Sequence, residues 1–140
     1  MTPTDFQRVQ SGAPWEEQVG YCRALRAGDR IFVTGTAPVA EGGGVHAPGD
    51  AEAQAARCLE IIRQALADLG AGPEHVVRTR LFVTDISRWS EFGRAHAAFF
   101  GAHRPCTTMV EVKALISPEM LVEIEADAVV TQGPGAPSDG

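Results

Sequence analysis

Apolar residues fall into segments of two different periods along the chain. Residues 21–25 and 30–34 are short apolar runs on either side of Ala27-Gly28-Asp29, which predicts a β-hairpin. Residues 40–48 contain Gly42-Gly43-Gly44 and read as a loop. That triplet lacks the Lys-Ser/Thr ending and the helical context of a phosphate loop. Leu59, Ile62, Leu66 and Leu69 then recur at spacings of 3, 4 and 3, the apolar stripe of a helix. Asp50 is placed to cap its first turn, Glu52 lies near its positive end, and Gly70 closes it. Residues 76–84 read as a strand. Trp89, Phe92, His96 and Phe99 repeat the 3, 4, 3 spacing, and Gly101 ends this second helix. Residues 106–112 and 121–130 form two further strands on either side of Ser117-Pro118. The order is β-β-α-β-α-β-β, with a short additional strand near residues 6–9. This predicts one α+β domain over residues 1–130. Residues 131–140 are rich in Gly, Pro and Ser without periodicity and read as a disordered tail.

Alternation within strands assigns side chains to faces. In 76–84, Val77, Thr79, Leu81 and Val83 share one face, and Val76, Arg78, Arg80 and Phe82 the other. In 121–130 the charged face carries Glu123, Glu125 and Asp127, opposite Val122, Ile124, Ala126 and Ala128. In 106–112 the predicted helix-facing set is Thr108, Val110 and Val112, joined by Cys106 as a buried thiol. Thr107, Met109 and Glu111 form the other set. One sheet face is thus apolar and is expected to lie under the two helices. The other mixes charges with Phe82, Met109 and Leu121, and unpaired charges are not tolerated in a core. A subunit interface in which Arg78 and Arg80 oppose Glu111, Glu125 or Asp127 of another copy satisfies both conditions, so a homo-oligomer is expected.

Composition narrows the function classes. The net charge of −6 opposes general binding to nucleic-acid phosphates. No run of 18 apolar residues is present, so no membrane span is expected, and Met1-Thr2-Pro3-Thr4-Asp5 does not begin like a signal peptide. Three cysteines, Cys22, Cys58 and Cys106, show no metal-ligand spacing and fit free thiols in a reducing cytoplasm. No His pairs with a Cys or carboxylate at ligand spacing. No metal and no other cofactor are expected. His96, on the apolar stripe, reads as a satisfied core histidine.

Residues 104–125, Arg-Pro-Cys-Thr-Thr-Met-Val-Glu-Val-Lys-Ala-Leu-Ile-Ser-Pro-Glu-Met-Leu-Val-Glu-Ile-Glu, resemble the C-terminal signature of the RidA/YjgF superfamily, the reactive-intermediate deaminases. Residues 24–35 resemble that family's first hairpin, Arg80-Leu81-Phe82-Val83-Thr84-Asp85 its Phe-Val-x-Asp strand end, and Ala98-Phe99-Phe100 its second-helix aromatics. The resemblance spans roughly residues 12–130. It implies a chorismate-mutase-like α+β fold and a homotrimer with small-molecule clefts between subunits.

In deaminating members the signature reads Pro-x-Arg-Ser/Thr-x-Val-x-Val, and the Arg holds the substrate carboxylate in a bidentate fork. Here that position is Thr107. Carried over residue by residue, the resemblance places the water-positioning Glu on Glu123 and the pocket Tyr on Tyr21. It places the hydroxyl before the strand-ending Gly on Thr34, and the small or sulfur residue after the Arg on Met109. An Asn used by some members falls on Gly93. Losing both charge-assisted bonds of an Arg fork weakens binding of a 2-imino acid by about two orders of magnitude or more. Arg80 or Arg104 replaces the fork only if one of them enters the cleft; salt bridging is the alternative for Arg80.

These features define the expected site. Glu123 is the candidate general acid–base, with an inter-subunit salt bridge as its other reading. Tyr21 joins it as a catalytic candidate, and Thr34, Thr107, Met109, Trp15 and Arg80 are candidate substrate contacts. Trp15 is expected to cap the cleft, with Glu16 or Glu17 adding a carboxylate. The expected function is imine, enamine or carbonyl hydrolysis of deaminase type on a ligand other than simple 2-imino acids. A non-enzymatic ligand-binding or chaperone-like trimer is the alternative. RNA cleavage, an activity label attached to some family members, is opposed by the negative charge and the lack of a basic–aromatic stripe.

Overall fold

The computed structural model describes residues 6–131; the tail reading for residues 131–140 therefore lies, but for its first residue, outside the described residues. Six strands and three helices follow in the order β1 (Gln7–Val9), α1 (Pro14–Val19), β2 (Ala24–Ala27), β3 (Arg30–Thr36), α2 (Ala51–Asp68), β4 (Val76–Val83), α3 (Trp89–Phe100), β5 (Cys106–Glu111) and β6 (Val122–Val129). The predicted α+β class, the hairpin, both long helices and the extra N-terminal strand are all present. The strands form one mixed sheet in the order β1-β2-β3-β6-β4-β5.

The α2 stripe works as its spacing predicts. Asp50 accepts a hydrogen bond from Ala53 N–H, and Leu59, Ile62 and Leu66 are fully buried against Ile31, Leu81, Val122 and Ile124. Gln54, also fully buried, is satisfied by accepting from Leu121 N–H and donating to the Glu119 and Ala47 carbonyls. Those bonds tie the loop before β6 to α2. On α3 the buried positions are Phe92, Ala95 and Phe100, whereas Trp89 is 62% exposed and stands outside the core.

Residues 14–19 form a helix that the apolar pattern does not mark. Pro14 opens α1, two acidic residues occupy its first turn, and Gly20 closes it at φ 90°. Ala13, at the N-cap, makes no side-chain cap, and six residues are too few to display a helical period. The two C-terminal strands are not neighbours. β4 lies between them, parallel to β5 and antiparallel to β6.

Two face assignments are corrected. Along β4, a register shift between Val76 and Arg78 inserts an extra residue. Val76 is therefore buried and Val77 is 45% exposed, the reverse of simple alternation. Along β5 the whole assignment inverts. Thr107 is in register with Thr79 and Met109 with Leu81, so these face the helices, while Cys106 and Thr108 lie beside Arg78 and Arg80. Val110 is 42% exposed and Cys106 is an exposed thiol, not a buried one.

The charged face also differs from expectation. Arg80 pairs with Glu125 at 3.0 Å and with Asp127 at 3.4 Å, both in the same chain. Arg80 and Glu125 stand opposite each other on adjacent antiparallel strands, where cross-strand side chains meet directly. These charges therefore need no second copy to be satisfied. Apolar groups do remain open on that face: Phe32 on β3 is 46% exposed, and Val110 lies on the distant edge strand β5.

Candidate functional site

A groove of about 1550 Å³ crosses the end of the sheet where β3 meets β6. Trp15, Tyr21, Arg23, Thr34, Gly35 and Glu123 line it. A local irregularity shapes it. Between Val33 and Thr36, β3 carries one more residue than the facing stretch of β6, a bulge that re-aims Thr34 and Gly35. A Cβ at position 35 would stand 2.6 Å from Glu123 Oε2, so the carboxylate occupies space that only a glycine leaves free. Glu123 is half-buried there. Burial pushes its carboxyl above the usual range, Arg23 pulls it back, and Glu125 pushes it further up.

The neighbours of Glu123 are held from the backbone. Thr34 donates its hydroxyl to the Cys22 carbonyl at 2.7 Å, and its N–H bonds the Arg23 carbonyl at 3.0 Å. Its proton is committed, so its remaining lone pair can only accept. Tyr21 follows the α1 cap and bonds the Glu16 carbonyl through its N–H. Its ring lies 5.7 Å from the Arg23 guanidinium carbon, within cation–π range. Trp15 is half-buried on α1 at the groove. Glu16 turns inward and is 3% exposed, whereas Glu17 stays exposed.

Tyr21, Thr34, Glu123 and Trp15 thus come together. Thr107, Met109 and Arg80 do not line this groove. Thr107 Oγ1 instead accepts from Thr79 Oγ1 at 2.7 Å, and the Thr79 hydroxyl also meets His96 Nε2 at 2.8 Å. Burial lowers the His96 pKa. Met109 packs against the core under α3, and Arg80 is held by its two carboxylates. Arg104, at a left-handed turn with φ 51°, is exposed and outside the groove. Within one chain, neither Arg80 nor Arg104 lines the groove.

Arg23 and Gly35 are among the groove residues that the sequence did not single out. Alternation over residues 21–25 places Arg23 on the same face as Tyr21, which was the available signal. Gly35 was visible only as the end of a hairpin motif. Among the described residues, no group of three or more His, Cys, Asp or Glu side chains is arranged to hold a metal ion. Among the described residues, no helix is long and apolar enough to cross a membrane.

Comparison with known proteins agrees with this architecture. Residues 13–130 match the family model described as Endoribonuclease L-PSP. A crystal structure of a YjgF/YER057c/UK114 family member from Mycobacterium tuberculosis is 49% identical, covering 89% of this chain and 99% of that one with a TM-score of 0.81. An uncharacterized protein of Streptomyces coelicolor is 38% identical over 91% of this chain and 95% of its own length. The 3-aminoacrylate deaminase of Acinetobacter baylyi is 31% identical over 79% of this chain and 86% of its own. Fold, strand order and these likenesses place the chain in the RidA/YjgF (endoribonuclease L-PSP) superfamily.

Proposed function

We propose that the protein is a homotrimer of deaminase-type hydrolases, acting in its inter-subunit clefts on an imine, enamine or carbonyl compound other than a simple 2-imino acid. The observation that carries this reading is Glu123, half-buried against Gly35 with its pKa raised, in a groove it shares with Tyr21 and Thr34. A carboxyl poised nearer neutrality exchanges protons more effectively than a solvated one. The likeness to a 3-aminoacrylate deaminase supports the reaction class. The open apolar groups Phe32 and Val110 support burial against another copy. Thr107 and Met109 lie on the far edge strand, so they contact a ligand in this groove only if β5 of another copy closes it.

In the proposed reaction Glu123 takes a proton from water as its oxygen attacks the imine carbon. The same proton passes to the nitrogen, giving a carbinolamine. Glu123 then carries the carbinolamine hydroxyl proton to that nitrogen as the carbon–nitrogen bond breaks, and ammonia leaves a carbonyl product. Thr34 accepts a hydrogen bond from the substrate nitrogen or the attacking water, and the Tyr21 hydroxyl donates to the developing oxygen. The test is to assay the purified protein against imines made in situ by an amino-acid oxidase, beside neutral imines. Turnover of neutral imines that is lost in Glu123→Ala supports the reading. Turnover of 2-imino acids at the rate of an Arg-bearing homologue would refute the exclusion of those substrates. Absence of any turnover, with ligands still raising the melting temperature, favours a binding protein. Analytical ultracentrifugation decides the trimer.

A further inference from the structure

Arg23 is 8% exposed, yet it lines the groove beside Glu123. Its Nη2 donates to the Gly35 carbonyl at 3.0 Å. Its Nε is buried and has no hydrogen-bond partner. The nearest acid, Glu16, has Oε2 at 3.9 Å from Nε. Glu16 is already occupied: Oε1 accepts from Ser11 N–H and from Gln10 Nε2, each at 3.0 Å, and Oε2 accepts from the Ser11 hydroxyl. Glu16 therefore offsets the charge of Arg23 without using its donor edge. Buried polar groups are nearly always paired, and a guanidinium at a groove wall whose buried Nε has no partner is an exception that a ligand engaging Arg23 would account for. A guanidinium offers parallel N–H groups matched to a planar oxyanion, and the Tyr21 ring restricts where the Arg23 plane can turn.

We propose that Arg23 is an anion subsite, so that the ligand is an imine, enamine or carbonyl compound that also carries a carboxylate or similar planar oxyanion. This rests on the reading of the groove as the ligand cleft. It relocates the anion contact from β5, where Thr107 has no charge to offer, to the start of β2 on the opposite face of the sheet. The acid group then docks beside Tyr21 and Gly35, and the reacting carbon lies at Glu123. The arrangement selects substrates by the spacing between the acid group and the reacting carbon.

The experiment uses isothermal titration of the purified full chain with pyruvate and levulinate, a 2-oxo and a 4-oxo acid, each beside its neutral amide. For at least one pair the acid should bind about tenfold or more tightly than its amide. In the double variant Arg23→Met/Glu16→Gln, which leaves no uncompensated buried charge, that preference should vanish while the amide affinity stays within about threefold. Arg23→Lys, which keeps the charge and loses the fork, should give an intermediate loss and serves if the double variant does not fold. Arg57→Gln, altering the other groove arginine, should leave the preference intact. If both amides bind as tightly as their acids, the anion subsite is wrong and the cleft stands. If the preference follows Arg57 instead, the assignment to Arg23 is overturned. If no probe binds up to about 10 mM, the cleft reading itself fails and the subsite with it.

Discussion

Glu123 Oε2 lies 2.6 Å from the point where a Cβ on Gly35 would stand. Glu123 Cδ and Cγ are the next atoms met, at 3.2 and 3.5 Å, so everything in the way belongs to one flexible side chain. A methyl group there displaces the carboxylate and leaves the backbone where it is. Gly35→Ala is thus expected to cost less than about 1 kcal/mol of stability while lowering turnover by about a hundredfold, the usual worth of a positioned acid–base. Parallel melting curves and steady-state assays check it. A loss of stability with full activity would mean that the carboxylate position is irrelevant to the chemistry.

The sign of the Glu123 shift sets a pH dependence. Its folded pKa is raised above the ordinary 4.5, chiefly by burial. The folded state then holds the proton more tightly than the unfolded one. The associated stability is complete below the unfolded value and is lost as pH rises through the folded one. Glu123→Gln should therefore match wild type near pH 4 and exceed it at pH 8, as measured by urea denaturation across that range. In turnover the dependence runs the other way. A general base must be ionised, so kcat/KM should fall as pH drops through the raised pKa.

Glu16 makes a second structural commitment near the groove. It is 3% exposed, receives Ser11 and Gln10, and is the carboxylate closest to the buried Arg23. Glu16→Ala leaves Arg23 uncompensated and releases α1 from the turn before it. The expected cost is about 3 kcal/mol, the usual result of breaking one side of a buried pair. Arg23→Met added to Glu16→Ala should recover part of that loss. A double-mutant cycle in chemical denaturation measures the coupling, and additive losses would show that the two residues do not interact.

Long-period features of this chain were legible, and short-range ones were not. The α2 stripe of Leu59, Ile62 and Leu66 needed three turns to declare itself and is buried as expected. α1 has one and a half turns and no polar cap, so nothing periodic marked it. The face of β5 was misread because Thr108 and Val110 look like core residues. An edge strand takes its orientation from its neighbour's register, here Thr79 with Thr107, and that register is not written in β5 itself. The bulge at Val77 inverts parity for the same reason. Glu123, Tyr21 and Thr34, which share the groove, were singled out through family motifs. Arg23 was not, because no motif names it and its importance lies in burial without a partner.

Thr79 is fully buried and joins Thr107 to His96 through one hydroxyl. Thr79→Val keeps the shape and removes both bonds. Thr107 is exposed and can turn to water, whereas half-buried His96 Nε2 loses its protein partner, so a cost of about 1–2 kcal/mol is expected. His96 adds its own pH term. Burial lowers its folded pKa below the ordinary 6.5, so its contribution is present above the unfolded value and is lost as pH falls through the folded one. That slope opposes the one from Glu123, so both should be read in the Glu123→Gln background. There, stability should decline from pH 7 to pH 5, and His96→Leu should flatten the decline. Urea denaturation of the three variants at pH 8 and pH 5 separates the terms. An unchanged decline after removal of His96 would assign the acid sensitivity to other groups, and a Thr79→Val protein as stable as its parent at pH 8 would show that the hydroxyl bridge contributes nothing net.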